Sequence, residues 1–377
     1  MDSENKKWIE NRSEKEDLIL DSSQFSDFME GKRTGPVHLE ISPSGRCNQH
    51  CKMCYVDYLI QTKAAPSLLS KDIMFKAIRE AGEMNVRSIV FCGTGEPLLN
   101  RYTPQAICEA GKFGITVGLF SNGVLAQLDK IKEALHHLQF LKISSTAGSP
   151  ERYAQLQGDS QKSFAIMLQN LQDILQYKQE HQLQLKVGVS YFLFDGAEKD
   201  VFFFAQKLKS MGVSFLQIKP CGDFLKNNHY QYEHHTYHNL QEILQKCASL
   251  SDGDFECRIP HERFTNFEES YTEERTLPSR CWALHFTTVL GSCGNLYTCG
   301  GSWYEKQHAY GSLHDHSFRE IWNSQRWQDV LHSRSHVTRK DCFLACRNLD
   351  FNRWMEKTYP NMDFDKHFHT ITSSRKE

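Results

Sequence analysis

Residues 87–97 read Arg-Ser-Ile-Val-Phe-Cys-Gly-Thr-Gly-Glu-Pro. A short apolar, β-branched run that stops on glycines predicts a buried strand, 87–92, ending in a tight loop. The segment before it, 72–84, carries Ile73, Ala77, Ile78 and Ala81 at helical spacing. The segment after it, 103–113, predicts another helix, followed by a strand at 116–120 and the turn Ser121-Asn122-Gly123. The same unit recurs outward. A first strand lies at 38–42, and later strands at 140–145, 183–194 and 214–219. Helices at 125–136, 163–179 and 198–211 separate them.

Six strands alternating with helices imply a parallel sheet with right-handed crossovers. Six units are too few for a closed eight-stranded barrel. The expected core is therefore α/β, a partial TIM-like (β/α)6 barrel over 36–225. Chemistry in such sheets sits at the carboxyl ends of the strands. Loops 43–57, 93–97, 121–123, 144–149 and 220–224 are thus expected to converge on one site. Residues 1–35 read as a surface extension or helical arm, 226–278 as a helical bridge, 279–350 as a small α+β domain, and 351–377 as a tail with a frayed end.

The chain has 377 residues and 13 cysteines, with 44 basic against 46 acidic residues and a hydrophobic fraction of 40%. That fraction supports a sizeable core. The near-neutral balance gives no electrostatic case for nucleic acid. An odd cysteine count excludes a fully paired secreted scaffold within one chain. The first 17 residues are charged and resemble no secretory signal, and no apolar run reaches membrane-spanning length. The expectation is a cytoplasmic protein, with no membrane partner, whose thiols stay reduced.

Cys47, Cys51 and Cys54 follow the first strand as Cys-Asn-Gln-His-Cys-Lys-Met-Cys-Tyr. Three closely spaced thiolates can cap three corners of an iron–sulfur cubane and leave the fourth open. A zinc site completed by His50, or three unrelated thiols, are the alternatives from spacing alone. Cys281 and Cys299 flank a hairpin, and Cys342 and Cys346 follow as Cys-Phe-Leu-Ala-Cys. Four thiolates suit either tetrahedral zinc or a closed 4Fe–4S centre. Cys293 can compete as a ligand. Cys92, Cys108, Cys221, Cys247 and Cys257 read as ordinary thiols, with Cys221 at the rim of the site. His234 and His238, one helical turn apart, read as a solvated face.

The order of these motifs resembles the radical S-adenosylmethionine (SAM) superfamily. The Cys-x3-Cys-x2-Cys triplet follows the first strand. Gly95-Glu96-Pro97 resembles the family's Gly-Gly-Glu-Pro motif, with Thr94 at the first glycine. Ser121-Asn122-Gly123 resembles its Thr-Asn-Gly motif. The resemblance implies a 4Fe–4S cluster on Cys47, Cys51 and Cys54. It also implies SAM contacts from Met53, Tyr55, Gly95, Glu96, Pro97, Ser121, Asn122 and Ser144. Reductive cleavage of SAM would give a 5′-deoxyadenosyl radical that takes a hydrogen atom from substrate. The cofactor carries that chemistry, while the protein positions it.

The second cysteine group, with Tyr310-Gly311-Ser312-Leu313 and Phe318-Arg319-Glu320-Ile321-Trp322, resembles the SPASM/Twitch extension of these enzymes. No cysteine follows Cys346, so one auxiliary 4Fe–4S cluster is implied, on Cys281, Cys299, Cys342 and Cys346. Such a cluster can accept a second electron. The implied reaction is net dehydrogenation of a small polar molecule such as an aminocyclitol or sugar, with peptide crosslinking or epimerisation as the alternative. Only 46 residues precede Cys47, too few for a leader-peptide-binding domain. An electron donor such as flavodoxin or ferredoxin is implied. Lys219, Asp223 and Tyr191, at strand ends, are the candidate proton-moving or substrate-contacting residues. Arg258, His261 and Arg263 are further candidates for the cavity lining.

Overall fold

A computed structural model describes residues 14–61, 68–193, 196–221, 240–260, 264, 277–336, 342, 346 and 348–364. Its centre is one ten-stranded sheet in the order β10-β9-β8-β1-β2-β3-β4-β5-β6-β7. Strands β1 (His38–Ile41), β2 (Ser88–Phe91), β3 (Thr116–Ser121), β4 (Leu138–Ser145), β5 (Lys186–Leu193) and β6 (Phe215–Pro220) are those anticipated above. They pair in parallel, in chain order. The ladder then continues beyond the sixth strand: β7 (Glu256–Arg258) pairs in parallel with β6. The stretch expected to be a helical bridge thus supplies a seventh strand.

Helices flank the sheet. α1 (Glu14–Leu20) and α2 (Ser23–Met29) come first, then α3 (Asp57–Gln61), α4 (Lys71–Glu83), α5 (Thr103–Lys112) and α6 (Leu128–Leu135). After them come α7 (Pro150–Gln157), α8 (Gln161–Glu180), α9 (Val201–Ser210) and α10 (Gln241–Ala248). Among the described residues, no helix is long and apolar enough to cross a membrane. Each of α4 and α8 starts at a serine cap, Ser70 and Ser160, whose hydroxyl takes up a free backbone N–H.

Alternation along the strands decides what each face does. Leu39, Ile41, Ile89, Phe91, Val117, Leu119, Leu141, Ile143, Val187, Val189, Leu216 and Ile218 form the apolar core with the helices. The intervening positions are different in kind. They include His38, Glu40, Phe120, Phe140, Lys142, Ser144, Ser190, Phe192, Gln217 and Lys219. A parallel sheet covered on both faces reads as continuous apolar strands. Here one face is polar and aromatic, as the inside of a partial barrel must be when it is left for a ligand.

The small domain is fused edge-on to this sheet. β8 (Thr287–Leu290) pairs in parallel with β1, and β9 (Asn295–Tyr297) and β10 (Ala309–Ser312) extend it antiparallel. Two helices follow β10, α11 (Phe318–Trp322) and α12 (Gln325–Arg334), each started by its own serine cap. The expected tail contains α13 (Leu349–Thr358), which buries Phe351, Asn352 and Met355.

The described part of the N-terminal segment, expected as a surface extension or helical arm, is helical and packs against the small domain. Phe28 of α2 lies edge-on to Phe286 at 4.9 Å and against His285 at 4.7 Å. The Trp322 indole N–H donates to the Thr34 carbonyl at 2.7 Å. An apolar Phe pair at helical spacing explains the difference: Phe25 and Phe28 share one face and need a partner.

Candidate functional site

The loop holding Cys47, Cys51 and Cys54 is docked on the end of α7, a helix absent from the sequence reading. His50 N–H donates to the Gln157 carbonyl at 3.1 Å, and Lys52 N–H to the Leu156 carbonyl at 2.9 Å. Gly158 makes this possible. Its φ is +59°, and a Cβ there would stand 2.3 Å from the His50 carbonyl oxygen. The buried Gln157 side chain reaches back: the Cys51 thiol donates to its Oε1 at 3.7 Å, and its amide donates to Gln49 at 3.2 Å.

The three thiols share one buried environment. Burial, then the Glu96 charge, pushes Cys47 up to about 11. Burial pushes Cys54 up to about 12 and Cys51 well above its ordinary value, with the neighbouring thiols adding to both. Among the described residues, no three His, Cys, Asp or Glu side chains form a group that could hold a single metal ion. Three thiols in one buried loop that feel one another's charge suit a cluster whose ligands cap separate irons.

Glu96 ties the next two loops together. Its carboxylate accepts from Ser121 Oγ at 2.8 Å, Asn122 N–H at 2.7 Å and Leu98 N–H at 3.0 Å. A carboxylate offers about four acceptor sites, so about one remains. Burial raises the Glu96 carboxyl, and these three donors oppose the shift. Gly95 is needed for close approach, since a Cβ would lie 2.0 Å from the Arg46 carbonyl oxygen. Pro97 is buried at the start of the short 97–99 turn that Glu96 caps. The Asn122 amide donates to Asn48 at 2.7 Å and approaches Cys47 at 3.8 Å.

Four of the five expected loops thus meet, and the fifth is described only through Cys221. Met53 packs with Leu156, Phe192 and Cys221. Ser144 pairs in register with Ser190. Ser190 Oγ is buried and has no hydrogen-bond partner among the described residues. An orphaned hydroxyl beside Ser144 is the fit expected of a site shaped for a hydroxyl-bearing ligand. The sequence reading missed Ser190, although period-two alternation from Phe192 would have placed it on this face.

Tyr55 sits with Cys54, Trp303 and Tyr304 in a cluster joining the first cysteine loop to β8 and β9. Burial raises its phenol, followed by the charges of Cys92, Cys54 and Cys299.

Tyr191 does not face the site. It is fully buried among the helices, with its hydroxyl donating to Asp200 at 2.6 Å. Odd positions of β5 point into the core, so its place near a strand end was misleading. Lys219 does lie on the polar face, its ammonium 5.4 Å from the Phe192 ring centre. Arg258 also lies on that face, 4.3 Å above Phe215. Asp223, His234, His238, His261 and Arg263 fall outside the described residues.

The second thiol group also converges. Burial raises Cys281, and the charges of Cys346, Cys299 and Cys342 add to the shift. Asn352 donates to Cys281 Sγ at 3.3 Å. Cys299 lies 3.7 Å from Ser302 Oγ, which accepts from Arg334 Nε at 3.3 Å. The Tyr310 hydroxyl is buried, has no hydrogen-bond partner among the described residues, and feels the charges of Cys299 and Cys281. Cys293 stands apart, 3.2 Å from the Tyr297 hydroxyl. A donor-lined thiol pocket with an orphaned hydroxyl fits an anionic iron–sulfur cluster.

Comparison with known proteins agrees with this geometry. The Radical SAM superfamily matches residues 41–197, and an iron–sulfur cluster-binding domain of the SPASM type matches 281–348. A GTP 3′,8-cyclase from Syntrophomonas wolfei is 26% identical over 193 residues, which are 50% of this chain and 57% of that protein. An S-adenosylmethionine-dependent nucleotide dehydratase from Lacinutrix mariniflava is 28% identical over 130 residues, 34% of this chain and 26% of that protein. The chain thus spans little more than half the length of the first relative and about a quarter of the second. Among solved structures, Streptococcus suis SuiB bound to S-adenosylmethionine aligns with a TM-score of 0.59 at 13% identity, over 80% of this chain and 68% of that one. Native anSMEcpe with bound AdoMet gives 0.55 at 15% identity, over 86% and 97%. Both share the fold. The chain belongs to the radical SAM superfamily, binding a 4Fe–4S cluster and SAM, and carries a SPASM-type domain for auxiliary iron–sulfur chemistry.

Proposed function

We propose that this enzyme dehydrogenates a small polar molecule bound on the polar face of its sheet. In this reading Cys47, Cys51 and Cys54 hold the SAM-site cluster. Cys281, Cys299, Cys342 and Cys346 hold one auxiliary cluster. Once bound, these groups would supply hydrogen-atom abstraction and a one-electron sink, and the remaining proton would pass to a base, for which Lys219 on the polar face is the candidate.

The chain's own residues do the positioning. Glu96 locks the 93–97 loop to the 121–123 turn, and its remaining acceptor site would take the amino group of SAM. Asn122 braces the cysteine loop through Asn48. Ser144 and Ser190 offer hydroxyls to the ribose. Met53 and Phe192 give an apolar wall.

The observation that carries the substrate reading is the charge pattern on the polar face. Glu40 and His38 lie at the β1 end, with Cys92 Sγ donating to Glu40 Oε2 at 3.7 Å. Lys142, Lys219 and Arg258 line the β4–β7 end, beside Phe120, Phe140, Phe192 and Phe215. Opposed charges with aromatic walls suit a small molecule bearing several polar groups.

The test is anaerobic turnover of deuterated candidate substrates. A positive result is deuterium in 5′-deoxyadenosine and a product lacking two hydrogens. Deuterium recovered with a crosslinked or epimerised peptide instead would reject the small-molecule reading.

A further inference from the structure

The second thiol pocket contains two hydrogen-bond donors that the ligand assignment does not use. Asn352 on α13 is buried. Its Oδ1 accepts from the Ala283 N–H at 3.1 Å, which fixes the amide's orientation. The NH2 group is therefore the end aimed at Cys281 Sγ, at 3.3 Å. A donor to an ionised sulfur is a charge-assisted bond. Tyr310 on β10 is the second. Its ring is wedged edge-on to Trp322, at 6.0 Å between centres, and beside Trp327 at 6.2 Å. Its hydroxyl is buried, finds no partner among the described residues, and feels the charges of Cys299 and Cys281. A buried donor without an acceptor costs stability unless something at the site accepts it. Neither thiol accepts from it as the structure stands, so the acceptor would be a sulfur that a bound cluster brings.

We propose that Asn352 and Tyr310 raise the reduction potential of the auxiliary cluster by donating hydrogen bonds to its sulfurs, Asn352 to the Cys281 ligand and Tyr310 to a sulfur of the bound cluster. The physical reason is charge. Reduction adds negative charge to the cluster and its sulfurs, so donors aimed at those sulfurs favour the reduced state. Hydrogen bonds to sulfur are among the determinants of cluster potential. The two are positioning residues that act through these sulfurs. This inference rests on the assignment of Cys281, Cys299, Cys342 and Cys346 to an auxiliary cluster.

The test is a redox titration of the anaerobically reconstituted enzyme, followed by electron paramagnetic resonance, for wild type, Tyr310→Phe and Asn352→Leu. Each variant is expected to make the auxiliary cluster harder to reduce by about tenfold in equilibrium constant, about 59 mV for one electron. The SAM-site cluster serves as the internal reference and is expected not to move. Tyr310→Phe keeps the ring and its packing, so it carries the test by itself if Asn352→Leu does not fold. About eight irons per chain with an unshifted auxiliary potential would overturn the inference and leave the ligand assignment standing. About four irons in the wild type would overturn the assignment itself.

Discussion

Thr94 Oγ1 lies 3.2 Å from the Tyr304 hydroxyl. This bond joins the loop after β2 to the small domain, and the same hydroxyl lies 2.7 Å from Ser292 Oγ. Tyr304 also has a φ of +60°, a conformation that costs a non-glycine residue of order 1–3 kcal/mol. Threonine stands here where the family motif has glycine, so the departure from the motif is what makes the tie. Tyr304→Phe and Thr94→Gly are each expected to weaken SAM binding several-fold while iron content stays unchanged. Calorimetric titration with SAM checks this. Unchanged affinity in both variants would make the tie merely structural.

Glu96→Gln places an amide N–H where the carboxylate now accepts from Asn122 N–H. Loss of a charged, buried acceptor is worth roughly 1.5–3 kcal/mol, so SAM affinity is expected to fall tenfold or more. Burial holds the wild-type carboxyl above its ordinary range in the folded state. A raised acid favours folding in its protonated form. That contribution is whole below the unfolded carboxyl range and is lost as pH rises through the raised value. Urea unfolding across this window should show the pH dependence in wild type and its loss in Glu96→Gln. Parallel curves would contradict the electrostatic account.

Tyr191→Phe tests the corrected placement. It removes the bond to Asp200, which also holds Arg152 Nε at 3.1 Å and the Gly148 N–H at 2.8 Å. A stability loss of about 1.5–3 kcal/mol is expected, with the rate of SAM cleavage unchanged. A collapse of that rate in a folded variant would return Tyr191 to the site.

Gly158→Ala separates docking of the cysteine loop from its ligands. The new Cβ would push on the His50 carbonyl, and a loss of roughly 1–3 kcal/mol is expected, with reduced iron at the SAM site. Gly253→Ala, which meets nothing within 4 Å, is the control. Equal behaviour of the two variants, read by thermal unfolding and iron content, would dispose of the docking argument.

Much of this architecture could be read from local pattern. The six strands showed because each is an apolar run bounded by glycine or a turn, and the site loops followed from strand polarity. What escaped depended on long-range contact. β7 is three residues long, too short to carry a period, and exists because β6 offers an open edge. Asn352 and Gln157 have no motif of their own; their roles come from the thiols they meet across the fold. Tyr191 and Ser190 are neighbours in sequence on opposite faces. A strand end located to within one residue does not fix which of two such neighbours enters the site.

The central claim is that two thiol groups hold two clusters, of which only the first cleaves SAM. The direct measurement is iron content together with 5′-deoxyadenosine formation under reductant, for wild type and for Cys342→Ala/Cys346→Ala. About eight irons falling to about four, with SAM cleavage retained, is the predicted result. Wild type with only about four irons, or a folded double variant that keeps its iron at Cys47, Cys51 and Cys54 yet cleaves no SAM, would contradict it.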